Sequence, residues 1–344
     1  MKEVTALHTF AVKSYCKDIL YIRSEKDLQQ LSLYQQQPQS DWIVIGEGSN
    51  VLFVEDYQGL LVCNRLLGRQ LIEKIDGWYI EAAAGENWHQ LVCWLIEHGI
   101  GGLENLALIP SSLGAAPVQN IGAYGVEFSQ FCQWVDVWDV EQACLRRLTA
   151  TECQFGYRDS YFKRVTDRWV ITRIGLKVSK YWQPQLSYGP LARLAKSPLT
   201  PKLLFDEICK LREQKLPDPK KVGNAGSFFK NPVVSAQWVD RQQQIAPEIP
   251  VYPLVDGRYK VAAGWLIDQC GLKGYQMEQA AVHDQQALVL TNPQRQASGR
   301  QIVSLADHIR QQVWSRYQVE LEPEVLLIGA EGLLCPQEVF KSLC

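Results

Sequence analysis

Ser227 stands at the centre of Gly223-Asn-Ala-Gly-Ser-Phe-Phe-Lys-Asn-Pro232, a run of small side chains closed by two phenylalanines. A second small-residue loop reads Ile109-Pro-Ser-Ser-Leu-Gly-Ala-Ala-Pro-Val-Gln-Asn-Ile-Gly-Ala-Tyr-Gly125, and a shorter one is Gly46-Glu-Gly-Ser-Asn50. Such side chains let a backbone come close to something flat or anionic, and glycine takes φ > 0 without a Cβ penalty. The 109–125 loop also carries Val118, Ile121 and Tyr124, where a flexible linker would be polar. It is built to pack, and a pocket for a flat cofactor fits it. Gly46–Asn50 reads equally as a hairpin turn or as an anion nest whose N–H groups face a pyrophosphate. Neither Gly-x-Gly-x-x-Gly between strand and helix nor Gly-x4-Gly-Lys-Ser/Thr occurs, so no Rossmann site or P-loop is indicated.

Each candidate has a plainer reading. Ser227 could be an ordinary turn serine, which leaves the two anchoring phenylalanines unexplained. Arg158, in Phe155-Gly-Tyr-Arg-Asp-Ser160, pairs most simply with Asp159. Glu324, after Pro323, reads as a solvated strand residue. His89 and His283 read as packing or polar support, and no metal site is indicated.

The elements that would hold these residues alternate strand and helix. Trp42–Ile45, Val51–Val54, Gly59–Val62 and Trp78–Ala82 read as strands. Trp88, Leu91, Val92, Leu95 and Ile96 keep helical spacing, with Asn87 as N-cap and Gly99 as stop. Strands follow near 134–140 and 169–178. A helix then starts at Thr200-Pro201 and runs to about Lys215, where Leu216-Pro-Asp-Pro219 ends it. Beyond lie a helix around 262–270 and a strand at 287–290. An amphipathic helix from Ser298 to about Tyr317 carries Ile302, Leu305, Ile309, Val313 and Trp314 on one face, and a strand over 319–328 closes the chain.

With 344 residues, two or three domains are expected. The net charge of −2 argues against a general nucleic-acid binder, since phosphate affinity comes from massed Lys and Arg. No apolar stretch reaches the roughly 20 residues that span a bilayer, and no signal peptide is evident. A cytoplasmic protein is expected. Ten cysteines without Cys-x-x-Cys spacing read as structural thiols.

Six segments occur in a telling order: Gly46–Phe53, Gly102-Leu-Glu-Asn-Leu-Ala-Leu-Ile-Pro110, Pro117–Gly125, Phe155–Ser160, Gly223–Pro232 and Leu321-Glu-Pro-Glu-Val325. Together they resemble the motif series of the UDP-N-acetylenolpyruvoylglucosamine reductase family, flavoenzymes of peptidoglycan precursor synthesis. The likeness covers nearly the whole chain. It implies an α+β fold, with an FAD-binding domain of the vanillyl-alcohol-oxidase (PCMH) type in two subdomains, 1–67 and 68–217. A separate α+β substrate-binding domain, 218–318, would follow, and a segment 319–344 would return to the active-site cleft.

The resemblance further implies non-covalent FAD, NADPH as hydride donor and a sugar-nucleotide substrate, in a monomer. FAD would be held by Gly46, Glu47, Gly48, Ser49, Asn50, Ile109, Pro110, Ser111, Gly114, Ala115, Ala116, Asn120, Gly122, Tyr124 and Gly125. Arg158, Ser227 and Glu324 match the catalytic positions. Tyr188, in Leu186-Ser-Tyr-Gly-Pro-Leu191, resembles the longer subclass, in which that tyrosine covers the substrate diphosphate. Lys215 would meet the same diphosphate, and Asn231 and Gln286 match positions that touch the sugar nucleotide.

The residue types suit that chemistry. Hydride addition to an enolpyruvyl ether pushes charge onto the carboxylate, which a planar guanidinium such as Arg158 can grip. Glu324 would stand beside it, and Ser227 would give the proton. Two departures stand out: Ser111 where the family usually has glycine, and Leu326 where an arginine is frequent. Within the same fold the alternative is an FAD oxidase, although the 109–125 loop holds no His or Cys for covalent attachment. A non-catalytic sugar-nucleotide binder is the other alternative.

Overall fold

The computed structural model describes residues 1–196 and 198–341; Cys344, one of the ten thiols, lies outside them. The chain forms two compact units. One comprises Lys17–Glu47 and Gly59–Gln214, the other Met1–Cys16, Gly48–Gln58 and the chain from Lys215 onward.

The first unit is built on a five-stranded antiparallel sheet. Its order is Cys144–Thr149, Cys132–Asp139, Trp169–Val178, Gly77–Ala83, Arg69–Lys74. Helix Trp88–Glu97 buries Trp88, Leu91, Val92, Leu95 and Ile96, the face its spacing predicts. Asn87 Oδ1 accepts from the Gln90 N–H at 2.9 Å, satisfying one of the orphan donors of the first turn. Gly99, at φ 73°, ends the helix. Trp42–Ile45 pairs in parallel with residues 60–63 of the strand Tyr57–Asn64. Helix Pro201–Lys215 buries Leu204, Ile208 and Leu211.

The second unit carries a four-stranded antiparallel sheet in the order Gly223–Ser227, Val289–Asn292, Ala280–Val282, Gln276–Met277. Helix Gly299–Tyr317 begins with a reciprocal capping box between Ser298 and Gln301. It buries Ile302, Leu305, Ile309 and Val313, whereas Trp314 is 52% exposed, one step around the helix from the apolar stripe.

Other expectations change as well. The strand Val51–Phe53 pairs in parallel with Leu326–Ile328, while Trp42–Ile45 pairs with Tyr57–Asn64, so Gly46–Asn50 is not a hairpin turn. The final strand is confined to Leu326–Ile328. Before it, the Lys230 N–H donates to Glu322 O at 2.9 Å and the Glu324 N–H to Phe228 O at 2.7 Å, so residues 322–324 pair with the segment after Ser227. The strand foreseen at 287–290 begins at Val289, because the Val289 N–H closes a turn onto Gln286 O. The second unit also gathers residues 1–16 and 48–58, which the resemblance groups with the first flavin subdomain. Val51–Phe53 lies in its ladder, and the Asn224 N–H donates to Thr9 O at 3.1 Å.

Candidate active site

In the first unit, two of the small-residue loops come together. Ser112 bridges to Asn87, the Leu113 N–H donates to Glu86 O at 2.7 Å and the Gly114 N–H to Ala84 O at 2.7 Å. Asn87 Nδ2 also donates to Glu47 Oε1 at 2.8 Å. A Cβ on Gly46 would fall 2.1 Å from Ser112 Oγ, so this approach requires glycine. Gly46, Glu47, Ser111, Gly114 and Ala115 are thereby grouped. Ser111 has no positive φ; the turn of the loop is made at Leu108, φ 55°. Serine in the usual glycine position therefore carries no backbone strain. The Leu108 N–H donates to His89 Nδ1 at 3.1 Å, and the His89 ring stacks on Phe205, so His89 supports the loop.

Residues 118–122 are laced to residues 156–163. Asn120 Nδ2 donates to Gly156 O at 2.9 Å and to Glu127 Oε2 at 3.0 Å, while Asn120 Oδ1 accepts from the Ser129 N–H at 2.9 Å. Ser160 Oγ donates to Val118 O at 2.9 Å. Arg158 holds φ 53°, a left-handed conformation that costs a non-glycine residue on the order of 1–3 kcal/mol and clusters at functional sites. Its Nη2 donates to Gly122 O at 2.8 Å. The Asp159 carboxylate is engaged by Arg164. Lys163 escaped the sequence reading: its Nζ donates to Arg158 O at 2.9 Å and to Gln119 Oε1 at 3.0 Å. No motif marks it, because its partners are a backbone carbonyl and an amide that only folding brings near.

In the second unit, Ser227 ends a strand and pairs with Val289 across a register shift from Asn224. Gly226, at φ 69°, makes the irregularity, and its N–H donates to Asn224 Oδ1 at 2.9 Å. Phe228 and Phe229 are buried immediately after the serine, with ring centroids 5.0 Å apart at 69°. Ser227 is half-buried beside this clamp. The Glu324 N–H donates to Phe228 O, and Glu324 O accepts from Asn50 Nδ2 at 3.2 Å. Ser227, Glu324 and Asn50 are thus brought together, and Glu324 is half-buried in an arch, not solvated on a strand.

The remaining sites divide. Asn231 Oδ1 accepts from the Ala263 N–H at 3.0 Å and so caps helix Ala263–Gln269. Gln286 Oε1 lies 3.1 Å from where a Cβ on Gly264 would sit, at the same helix start. Lys215 ends its helix. Tyr188 precedes the short helix Gly189–Ala192, and its ring meets Tyr124 edge-on, centroids 4.9 Å apart. Tyr124 and Arg212 are hydrogen-bonded; burial pushes the phenol of Tyr124 up and the guanidinium of Arg212 down. Ile109, Pro110, Ala116 and Gly125 line the same loop region as Tyr124 in sequence.

These groups fit a flavin. Gln119 Nε2, inside the 109–125 loop, is buried and meets no acceptor among the described residues. Backbone amides in the 46–50 segment and this amide are donors of the kind a pyrophosphate or an isoalloxazine edge accepts from. Among the described residues no group of His, Cys, Asp and Glu could hold a metal ion. Among them, too, no helix is long and apolar enough to cross a membrane.

Comparison with known proteins bears on the same residues. The family model of the UDP-N-acetylenolpyruvoylglucosamine reductase C-terminal domain matches residues 218–328, and that of the FAD binding domain matches residues 17–147. The chain is 51% identical to the UDP-N-acetylenolpyruvoylglucosamine reductase of Pasteurella multocida over 333 residues, 96% of this chain and 97% of that one. It is 49% identical to the enzyme of the same name from Escherichia coli strain K12 over 326 residues, 94% and 95% of the two chains. The solved UDP-N-acetylenolpyruvylglucosamine reductase of Thermus caldophilus superimposes with a TM-score of 0.64 at 21% identity, over 94% of this chain and 96% of that one, which supports the fold. With the α+β architecture and the flavin-binding half in place, this chain belongs to the UDP-N-acetylenolpyruvoylglucosamine reductase family.

Proposed function

We propose that the chain is an FAD-dependent reductase that turns UDP-N-acetylglucosamine enolpyruvate into UDP-N-acetylmuramate, with NADPH as hydride donor. When bound, FAD supplies the centre that accepts hydride and passes it on. The 46–50 and 109–125 loops hold it, residues 218–318 serve mainly the sugar nucleotide, and residues 319–344 bring in Glu324.

The chain's own residues handle the charge and the proton. The Arg158 guanidinium, its backbone fixed by the lacing around Asn120, grips the enolpyruvyl carboxylate as negative charge builds there. Removing one such donor typically costs roughly 3–4 kcal/mol of transition-state stabilisation. Glu324 stands beside the same carboxylate as a second polar group. Ser227 gives its proton to the carbon next to the one that receives hydride. Tyr188 and Lys215 bind the diphosphate, and Asn231 and Gln286 the sugar nucleotide.

The observation that supports this reading is the Glu324–Phe228 backbone bond, which brings the Glu324 backbone to the residue that follows Ser227. A monomer in the cytoplasm completes the proposal. The test is an anaerobic pair of half-reactions. The purified protein should be yellow, NADPH should bleach it, and the enolpyruvyl sugar nucleotide should restore the colour. A colourless protein that takes up no FAD overturns the reading, and bleaching without recolouring points to an oxidase.

A further inference from the structure

The Glu104-Asn105 pair takes no part in the chemistry above, yet both side chains are only 1% exposed. Asn105 Nδ2 donates twice, to Tyr124 O and to Gln185 O, each at 3.0 Å. One carbonyl belongs to the 109–125 loop. The other lies three residues before Tyr188, and the Tyr124 and Tyr188 rings meet edge-on. Glu104 holds the start of the same segment, its Oε1 accepting from Trp182 Nε1 at 2.7 Å while Oε2 accepts from the Gly102 N–H. The fit is close: a Cβ on Gly101 would fall 2.4 Å from Trp182 Cδ1, and one on Gly125 2.8 Å from Ser187 Oγ.

An amide nitrogen offers two N–H donors from one neutral atom, which two converging carbonyls require. An aspartate there would offer only acceptors, and an alanine would take the shared donor away from both carbonyls. We infer that Asn105 is a positioning residue that ties the cofactor loop to the segment bearing Tyr188, and so sets the place of Tyr188 over the sugar-nucleotide diphosphate. Glu104 fixes the far end of that segment through Trp182. The inference rests on the reading of Tyr188 as a substrate contact.

A double-mutant cycle between Asn105→Ala and Tyr188→Ala tests it, with steady-state kinetics on UDP-N-acetylglucosamine enolpyruvate and NADPH. FAD content and NADPH-dependent turnover of the parent are established first, and their absence would fail the functional reading, not this one. Asn105→Ala should keep its FAD and raise KM for the sugar nucleotide about tenfold, with kcat changed less than about threefold, as expected for losing two neutral hydrogen bonds. In the Tyr188→Ala background the same change should leave KM within about twofold. An unchanged KM for Asn105→Ala, or an equal rise in both backgrounds, overturns the inference. Should Asn105→Ala fail to fold, Trp182→Phe replaces it, since it removes only the donor to Glu104. It should raise KM in the parent and not in Tyr188→Ala, and no rise in the parent overturns the inference.

Discussion

The two regions that supply the proposed catalytic groups are held by different means. Around Arg158, position comes from side chains: Asn120, Ser160 and Lys163 stitch residues 118–122 to residues 156–163 through neutral amides, a hydroxyl and one ammonium. Around Ser227, position comes from backbone pairing with Val289, a left-handed Gly226 and two buried phenylalanine rings. A side-chain lattice can be undone by one substitution. A ladder with an apolar clamp survives loss of the functional side chain, so chemistry and architecture separate at Ser227 and merge at Arg158.

Four measurements break or sharpen that contrast. The largest effect is expected from Ser227→Ala, which should slow recolouring of the reduced protein about 10²–10⁴-fold while leaving Tm, FAD content and bleaching by NADPH close to the parent. A near-parental second half-reaction removes Ser227 from the role of acid.

The next effect is one of pH and is confined to the second unit. His8 is 4% exposed, its ring 5.0 Å from that of Phe53, and burial lowers its pKa from the ordinary 6.5 to about 4. Unfolding lets it bind a proton at higher pH than the native state does. Its contribution is therefore complete above about pH 6.5 and is lost as pH falls toward 4, by up to about 3 kcal/mol. Denaturant titrations over that range should show the slope, and His8→Asn should flatten it; an identical slope in the variant excludes His8 as the cause. The lacing around Arg158 relies largely on amides and a hydroxyl.

Asn120→Ala should come third, at about 2–3 kcal/mol, since it removes three hydrogen bonds and leaves alanine at φ 40°. Unlike Ser227→Ala, it should lower Tm and catalysis together; a loss of catalysis at full stability would show that Asn120 acts by contact and not by placement. The smallest effect belongs to Ser111→Gly. With no positive φ at Ser111, glycine relieves nothing there, and the change should cost less than about 1 kcal/mol through added chain freedom, with FAD content unchanged. A gain in stability would mean the serine is strained after all.

Local signals were the ones most readable from sequence. Asn87, Gly99, Thr200-Pro201 and Ser298 mark helix ends because capping is chemistry between near neighbours. Trp169–Val178 falls where its apolar run predicts. What escaped is non-local. Nothing in Val51–Phe53 announces a partner at Leu326–Ile328, because strand period says which face is buried and not which strand lies alongside. Arg158 at φ 53° is invisible for the same reason: its side chain is held by Gly122 O, 36 positions away. The small-residue loops were legible as sites, while the amides that hold them, Asn105 and Gln119, looked like any other polar residue. Trp314 misled because hydrophobic type was read as burial, and a large amphipathic ring at a stripe's margin stays partly wet.

The parallel pairing of Val51–Phe53 with Leu326–Ile328 also bears on where this chain can be divided. The proline pair at Pro217 and Pro219 invites a cut, yet a C-terminal fragment begun there would lack the Val51–Phe53 partner strand and Phe10, whose carbonyl accepts from Asn292 Nδ2. Excised alone, it should expose an unpaired strand edge and aggregate; supplied with a peptide spanning the missing N-terminal stretches, it should regain solubility.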